Sequence, residues 1–214
     1  MPAQTSRWTI LLAGDLRATP RLIGQTAGTR AIAADGGIRH ARALGLTPEL
    51  WIGDFDSASP RLLNAYANVP RRAHPADKDA TDGKLAMDEA VRRGARHVVL
   101  AGALGGRMDH ATAILAHMTA LAAGGLSIMA TSGKEEAWPL VPGGHVISLP
   151  AGTVFSIIGF TALRGIALKG AKWPLRKADI PFGSTLGVSN IAREDLQISL
   201  EEGRGVLLAQ IAGD

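Results

Sequence analysis

Acidic residues and glycines recur in short clusters along the first half of the chain, and these residue types suit phosphate and divalent-cation chemistry. The first cluster is Asp35-Gly36-Gly37, which an ordinary turn with Asp35 as helix cap explains at least as well as a ligand does. The second is Gly53-Asp54-Phe55-Asp56-Ser57, whose two acids point to the same side if the chain is extended. Adjacent carboxylates repel unless a cation lies between them, and Mg²⁺ prefers carboxylate oxygens. We therefore predict that Asp54 and Asp56 bind Mg²⁺.

The third cluster runs Asp77-Lys78-Asp79-Ala80-Thr81-Asp82, with Lys84 following. Three carboxylates so close together are costly without cations, which favours a ligand site. Capping of a helix by Asp79 or Thr81 would explain one or two of the acids but not all three. Both interpretations stay open for this segment.

The fourth cluster, Gly105-Gly106-Arg107-Met108-Asp109-His110, joins an apolar run to a long helical segment. Free N–H groups at a helix N-terminus bind phosphate, glycines let the phosphate approach, and Arg107 is suited to a bidentate clamp. A glycine turn capped by Asp109 is the alternative. The chain has no Gly-x-x-x-x-Gly-Lys-Ser/Thr loop, no cysteine and no serine-elbow nucleophile. Together the clusters predict a polyphosphate site with Mg²⁺ and direct phosphoryl or pyrophosphoryl transfer.

Alternating strands and helices must position these clusters. Apolar runs predict strands, and the segments between them predict helices, so the first part reads as an α/β domain with a mainly parallel sheet. In such a sheet, ligands bind outside the carboxyl ends of the strands. The predicted strands are 8–13, 30–34, 50–52, 97–104 and 126–130, and the predicted helices are 38–44, 60–66, 82–93 and 109–123.

Helical periodicity disappears after about residue 132, and short β-rich runs punctuated by Gly and Pro replace it. The predicted strands there are 145–149, 154–158, 165–168, 197–200 and 205–210. This texture is typical of a sandwich or barrel. We predict an α/β ATP-binding catalytic domain over 1–132 and a smaller all-β sandwich domain over 133–214, with the boundary in the Pro- and Gly-rich stretch 131–144.

Composition narrows the functional classes. Hydrophobic residues make up 46% and charged residues 20%, which fits a globular protein. The absence of cysteine, of a signal-like N-terminus and of any long apolar run leads us to expect a cytoplasmic protein without membrane contact. The net charge is +4, but the arginines are scattered and aromatics do not interleave with them, so we expect no nucleic-acid partner.

The four clusters, in this order, resemble the thiamine pyrophosphokinase family. Its pattern runs Asp-Gly-Gly, Gly-Asp-Phe-Asp-Ser, Asp-x-Asp-x-Thr-Asp and Gly-Gly-Arg-x-Asp-His. The resemblance continues more weakly in the second half, where the stretch 168–175 is similar to Gly-Leu-Lys-Tyr-Pro-Leu and Ser189-Asn190 is similar to a Ser-Asn pair. It therefore spans nearly the whole chain.

The resemblance implies a homodimer that uses ATP and Mg²⁺ and binds thiamine between subunits. It places Asp54, Asp56 and Asp82 on Mg²⁺ and the ATP phosphates, which with Arg107 form the catalytic set. The remaining implied contacts to ATP are Asp35, Gly36, Gly37, Asp79, Thr81, Gly105, Gly106 and Asp109. Those to thiamine are Trp173, Ser189 and Asn190.

The chain departs from the family pattern at Leu85, where many relatives carry Lys, whereas Lys84 points about 100° away on a helix. Two other functions stay open. The segment 77–81 also matches the Asp-x-Asp-x-Thr of haloacid-dehalogenase-like phosphatases, although the preceding residues 71–75 make a poor strand for presenting a nucleophile. A non-enzymatic nucleotide-binding module is the second alternative, but it would not need so many carboxylates.

Overall fold

The computed structural model describes residues 6–56, 58–74 and 81–211, and the chain divides into two compact units. The first unit comprises residues 1–114 and 126–133, and the second comprises 115–125 and 134–214. Parallel strands with helices make up the first unit, and antiparallel strands dominate the second. The predicted mixed α/β fold is therefore confirmed.

A parallel sheet forms the centre of the first unit. Its strands are apolar and mostly buried because helices and turns cover them. Spatially they follow the order β6-β5-β1-β2-β3-β4, and each neighbouring pair is parallel. The strands are β1 (Arg7–Leu11), β2 (Arg30–Ala34), β3 (Leu50–Gly53), β4 (Arg71–Ala73), β5 (His97–Ala101) and β6 (Ser127–Thr131).

Within the described residues, four α-helices connect these strands, and three of them begin at a side-chain cap. Thr19, Ser59 and Thr81 each accept a hydrogen bond from the backbone N–H three residues later, which satisfies a donor that the helix itself cannot. The helices are α1 (Pro20–Thr26), α2 (Pro60–Ala65), α3 (Asp82–Arg92) and α4 (Met108–Ala123). The seven-residue helix α1 was missed by the sequence analysis.

Two secondary-structure predictions for the first unit are wrong. The segment 38–44 is not an α-helix but part of two 3₁₀ turns, Asp35–His40 and Arg42–Leu44. Its buried residues Ile38, Ala41 and Leu44 recur every third position, which matches the three residues per turn of a 3₁₀ helix. Residues 71–73 do form a strand, because an edge strand needs hydrogen bonds on one side only and tolerates exposed arginines.

Antiparallel strands surround an apolar core in the second unit. Leu168, Leu196 and Leu207 lie in that core, and the long strand β12 pairs with β8, β9 and β10. The strands are β7 (Glu135–Leu140), β8 (Gly143–Ile147), β9 (Val154–Gly159), β10 (Leu163–Ala171), β11 (Leu175–Ile180), β12 (Asn190–Leu200) and β13 (Gly205–Gln210).

The predicted boundary stretch 131–144 contains strand β7, which the sequence did not reveal. Its acids and Pro139 resemble a linker, yet β7 pairs with β13 along its whole length and Glu136 is buried. Strand β11 was missed for a similar reason, since its side chains are mostly exposed and charged. Within the described ranges, no helix is long and apolar enough to cross a bilayer.

Candidate active site

The sheet order brings the predicted clusters to one edge of the first unit. Strands β5, β1, β2, β3 and β4 are consecutive neighbours and all run in parallel, so their carboxyl ends meet. Gly105 and Gly106 follow β5, Asp35 follows β2, and Asp54 follows β3. Clusters that are far apart in sequence therefore share one edge, as the sequence predicted for an open α/β sheet.

Asp35 lies directly beside the end of β3. Its main-chain oxygen accepts a hydrogen bond of 2.8 Å from the indole Nε1 of Trp51, which is fully buried. The backbone of Asp35 is left-handed, with φ of +45°, an uncommon conformation for a residue with a side chain. Gly36 and Gly37 follow in the same 3₁₀ turn. The turn is thus held rigidly by the core, with the Asp35 side chain half-buried at the sheet edge.

Asp54 and Asp56 do not alternate along an extended strand, so that part of the prediction is wrong. Strand β3 ends at Gly53, and Phe55 has a left-handed φ of +64°. Its ring packs edge-on against Trp51, with ring centroids 5.0 Å apart. The amide of Asp56 donates to Asp54 Oδ1 over 3.1 Å, which closes a tight turn. The two acids therefore share one turn, with Asp54 half-buried and Asp56 exposed.

Helix α3 begins at the same edge, where the third cluster ends. Thr81 Oγ1 accepts from Lys84 N at 3.2 Å and caps the helix, and Asp82 occupies its first turn. The side chain of Lys84 pairs with Asp88 one turn further along, at 2.5 Å. Lys84 is therefore engaged along the helix, and its part in phosphate binding stays a question for experiment. The predicted residues Ser57, Asp77 and Asp79 lie outside the described residues.

The three predicted metal ligands are not assembled into a ready-made cluster. Within 6–56, 58–74 and 81–211, no group of three or more His, Asp or Glu side chains is placed to hold a metal ion. Mg²⁺ commonly uses one or two carboxylates together with substrate phosphates. The carboxylates at this edge suit that mode of binding rather than an all-protein cage.

Gly105 and Gly106, here called the glycine turn, lead from β5 into helix α4. Both have left-handed φ angles, +81° and +74°, which glycine adopts without strain. Next to them, Arg107 and Asp109 form a two-pronged ion pair, with Nε–Oδ1 and Nη2–Oδ2 distances of 3.1 and 2.6 Å. His110 N also donates to Asp109 Oδ1. The bond from Arg107, and then that from His110, lowers the pKa of Asp109 to about 2.

This geometry holds an exposed arginine in a fixed direction beside the open glycine backbone. Both side chains of the pair are largely exposed, so the guanidinium is accessible to an anion. A guanidinium at the start of a helix is suited to bind phosphate. Asp109 therefore orients Arg107 in addition to its place in the first turn of α4.

The turn after β1 was missed as a site element. Gly14 and Asp15 follow β1 in the same manner as the other clusters follow their strands, and that recurrence was the available signal. A Cβ atom on Gly105 would lie 3.3 Å from Cβ of Asp15, so the Asp15 side chain stands against the glycine turn. This turn contains one acid rather than a cluster, which explains why residue counting did not single it out.

In the second unit, the side chain of Asn190 is hydrogen-bonded to main-chain groups. It is only 7% exposed; its Oδ1 accepts from Trp173 N and Ile191 N, and its Nδ2 donates to Trp173 O at 2.7 Å. The Trp173 side chain is 52% exposed, and Lys172 Nζ lies 4.4 Å from its ring centre. Asn190 therefore fixes the main chain of Trp173 rather than presenting its own amide to a ligand.

Ser189 is exposed and left-handed, with φ of +60°, and its N–H donates to Ser156 Oγ. A separate groove of about 730 Å³ runs along β10 and β11, and none of the predicted thiamine residues lines it. Its lining includes Lys169, Arg176 and Arg193. The charged residues of this lining are mostly basic, although they also include Glu194.

An open parallel sheet with carboxylates and a glycine turn at its carboxyl edge is the architecture of open α/β proteins, which bind ligands outside the carboxyl ends of their strands. The catalytic-domain model of thiamin pyrophosphokinase matches residues 26–130, and the vitamin B1 binding-domain model of the same family matches residues 144–207. The chain belongs to the thiamine pyrophosphokinase family. The family predicted from the motifs is therefore confirmed, and neither the phosphatase nor the non-enzymatic alternative is supported.

Individual relatives agree over almost the whole chain. A thiamine pyrophosphokinase of Bacillus subtilis (strain 168) is 29% identical over 189 residues, covering 85% of this chain and 87% of the relative. A crystal structure of thiamine pyrophosphokinase from Bacillus subtilis superposes with a TM-score of 0.83 at 25% identity, covering 96% of this chain and 99% of that one. The Geobacillus thermodenitrificans enzyme structure gives 0.80 at 25% identity, covering 96% and 98%.

Proposed function

We propose that this protein transfers the pyrophosphoryl group of Mg·ATP to the hydroxyl of thiamine, giving thiamine diphosphate and AMP. The observation that carries the proposal is the sheet order, because it gathers the family's motifs from β2, β3 and β5 at one edge. The activity is also the one named for the relatives that this chain resembles.

The phosphates of ATP are assigned to the glycine turn and its neighbours. Gly105 and Gly106 leave the backbone open, and Arg107 supplies a guanidinium that Asp109 keeps oriented. Asp35, with Gly36 and Gly37, lines the same edge, and Thr81 caps the start of α3. Asp79, which lies outside the described residues, is assigned to ATP by the family resemblance alone. Since phosphoryl-type transfer depends mainly on positioning and charge neutralisation, an oriented arginine suits it.

Mg²⁺ is assigned to Asp54, Asp56 and Asp82. Asp54 and Asp56 share one turn, and carboxylate oxygens are the ligands that this hard cation prefers. When bound, Mg²⁺ neutralises negative charge on the phosphates. The protein's role is to hold the carboxylates at the sheet edge. The turn that contains Asp54 and Asp56 would hold two of them, and the first turn of α3 would hold Asp82.

In the proposed reaction, the thiamine hydroxyl attacks the middle phosphorus of ATP. The thiamine hydroxyl oxygen forms a bond to the β-phosphorus and releases its proton to water, while the bond from that phosphorus to the bridging oxygen of AMP breaks. The electron pair of the broken bond leaves with AMP, so negative charge grows on the α-phosphate. Arg107 would steady one end of the phosphate chain throughout this in-line displacement.

The second unit is proposed to act as the β-sandwich thiamine domain of a homodimer, with the two functional domains divided as 1–132 and 133–214. Trp173 would stack on thiamine, with Ser189 nearby and Asn190 acting through Trp173. Large apolar side chains are exposed in this unit, including Phe182 at 72% and Leu186 at 60%, which supports contact with a second copy. Light scattering during the assay checks the dimer, and a fully active monomer would contradict it. The cytoplasmic location stays a prediction of the sequence.

Product analysis tests the activity. We expect the wild-type protein, incubated with thiamine and Mg·ATP, to form thiamine diphosphate and AMP in equal amounts. The matched control is Asp54→Asn, which keeps the size of the side chain and removes its charge. Nucleotide hydrolysis that does not depend on thiamine would contradict the proposal, because a phosphatase needs no acceptor.

A further inference from the structure

The turn after β1, residues 13–15, is wedged between the Asp35 turn and the glycine turn. Gly14 N donates to Gly102 O at 3.0 Å. A Cβ atom on Gly14 would lie 2.5 Å from Gly102 O and 3.2 Å from Gly105 O, so the two backbones are in direct contact. Because packed backbone does not compress, displacement of the β1 turn would displace the glycine turn as well.

Two side chains from the 3₁₀ turn after β2 hold the β1 turn in place. Arg39 Nη2 donates to Ala13 O at 2.5 Å and to Gly14 O at 3.2 Å. His40 Nε2 lies 3.0 Å from Gly14 O, and since a carbonyl oxygen only accepts, Nε2 carries the proton. Burial lowers the pKa of His40, so the ring is neutral at neutral pH.

These bonds matter electrostatically as well as mechanically. The acceptors are main-chain oxygens at the sheet edge where a polyphosphate is expected, and an unpaired carbonyl dipole pointing at phosphate would repel it. Arg39 engages two of these oxygens with a positively charged group, and its side chain is exposed at the surface. Charge-assisted hydrogen bonds of this kind are stronger than neutral ones.

We propose that Arg39 and His40 are positioning residues for nucleotide binding, acting through the β1 turn to fix the glycine turn against Arg107. Neither residue belongs to the motifs that define the site. The inference rests on the proposed function only for the identity of the nucleotide as ATP.

Calorimetric titration of the full chain with Mg·ATP, without thiamine, tests the inference because binding needs no turnover. We expect Arg39→Gln and His40→Leu each to weaken nucleotide binding roughly tenfold, the scale of one lost hydrogen bond to a charged or half-buried partner. Arg39→Lys and His40→Gln keep a donor and should recover part of the loss. The matched control is Arg42→Gln, an exposed arginine on the next 3₁₀ turn, which should bind as wild type does.

The double variant separates positioning from direct contact. If both residues act through one turn, Arg39→Gln with His40→Leu should cost less than the product of the two single effects. If the affinity loss of the double variant equals the product of the two single losses, Arg39 touches the nucleotide itself, and the inference is overturned. A lowered melting temperature with unchanged affinity in the single variants would overturn it too, since the residues would then be merely structural.

The inference and the proposed function fail separately. Wild-type protein that binds Mg·ATP but makes no thiamine diphosphate would contradict the proposed function and leave the positioning role standing. Normal product formation by the wild type, with unchanged nucleotide affinity in Arg39→Gln and His40→Leu, would contradict the positioning role and leave the proposed function standing. Because Arg39 is exposed, its substitution leaves the core intact, and this variant decides the matter if His40→Leu does not fold.

Discussion

The Arg107–Asp109 pair and the Trp173–Asn190 pair both match family motifs, yet they use their polar groups in opposite ways. The side chains of Arg107 and Asp109 are 71% and 63% exposed and bond to each other. Asn190 is 7% exposed, and its amide bonds to three main-chain groups. The difference teaches that a motif residue serves a ligand either by facing it or by holding backbone for a neighbour, and burial distinguishes the two.

The largest expected effect on activity is at the residues that face the ligand. Replacing Asp54 by Asn keeps the size of the side chain but removes the charge assigned to Mg²⁺. We expect kcat to fall at least ~10²-fold, the scale of a lost electrostatic contact to the transition state. Circular dichroism should show an intact fold. Near-normal kcat in both Asp54→Asn and Asp56→Asn would rule out the assigned metal site.

Arg107→Ala is expected to rank next, with kcat/KM for ATP reduced on the order of 10- to 100-fold because a charged phosphate donor is lost. Lys84→Ala is its matched control. Lys84 pairs with Asp88 along α3, so its loss should change kcat/KM less than about threefold, as for an exposed helical ion pair. The opposite ranking of the two variants would show that Lys84, and not Arg107, reaches the phosphates.

On the buried side of the comparison, Asn190→Ala should act through Trp173. Loss of the amide frees the main chain of Trp173 and leaves buried groups unpaired, so we expect kcat/KM for thiamine to fall roughly tenfold and unfolding free energy to drop by about 1–3 kcal/mol. Affinity for Mg·ATP should not change. A Trp173→Ala variant is the companion, and normal thiamine kinetics in both variants would remove this region from the site.

The smallest effect on activity is expected at Glu89, a buried acid away from the site edge. Burial raises its pKa, but hydrogen bonds from Arg72, Arg92 and Arg93 outweigh burial and lower the pKa to about 2. Since the folded pKa lies below the ordinary value of 4.5, the stabilisation is full above that pH and is lost as the pH falls towards 2.

Glu89→Gln should therefore cost about 3 kcal/mol at pH 7 by urea unfolding, with a much smaller difference from wild type near pH 3. The control is Glu49→Gln, whose 37%-exposed side chain pairs with Arg30 and should cost less than about 1 kcal/mol. A Glu89→Gln penalty independent of pH would show that packing, rather than charge, is what this residue contributes.

Much of the parallel unit could be predicted from sequence because its buried strands are continuous apolar runs. Strand β2 was predicted to the residue, and β13 in the second unit likewise. Strands β4 and β11 could not be predicted, because their exposed side chains are largely charged. Strand β7 could not be predicted, because its acids and Pro139 are unusual in a strand. Local composition does not report how such strands pair.

For the site, the residue types at strand ends were informative, whereas the conformation between them was not. Phe55 has a left-handed φ and packs against Trp51, and residue spacing alone reveals neither the turn nor the contact. Arg39 and His40 could not be predicted as site residues, because an α-helix was expected at this position. Their contacts with Gly14 arise only when β1 and β2 pair in the folded sheet.

The fate of the α-phosphate tests the central claim most directly. A single turnover with thiamine and ATP labelled in the α-phosphate, separated by chromatography, shows which phosphorus was attacked. Pyrophosphoryl transfer predicts that the label appears in AMP, together with an equal amount of thiamine diphosphate and no thiamine monophosphate. Label in ADP, accompanied by thiamine monophosphate, would make the protein a simple kinase and contradict the account.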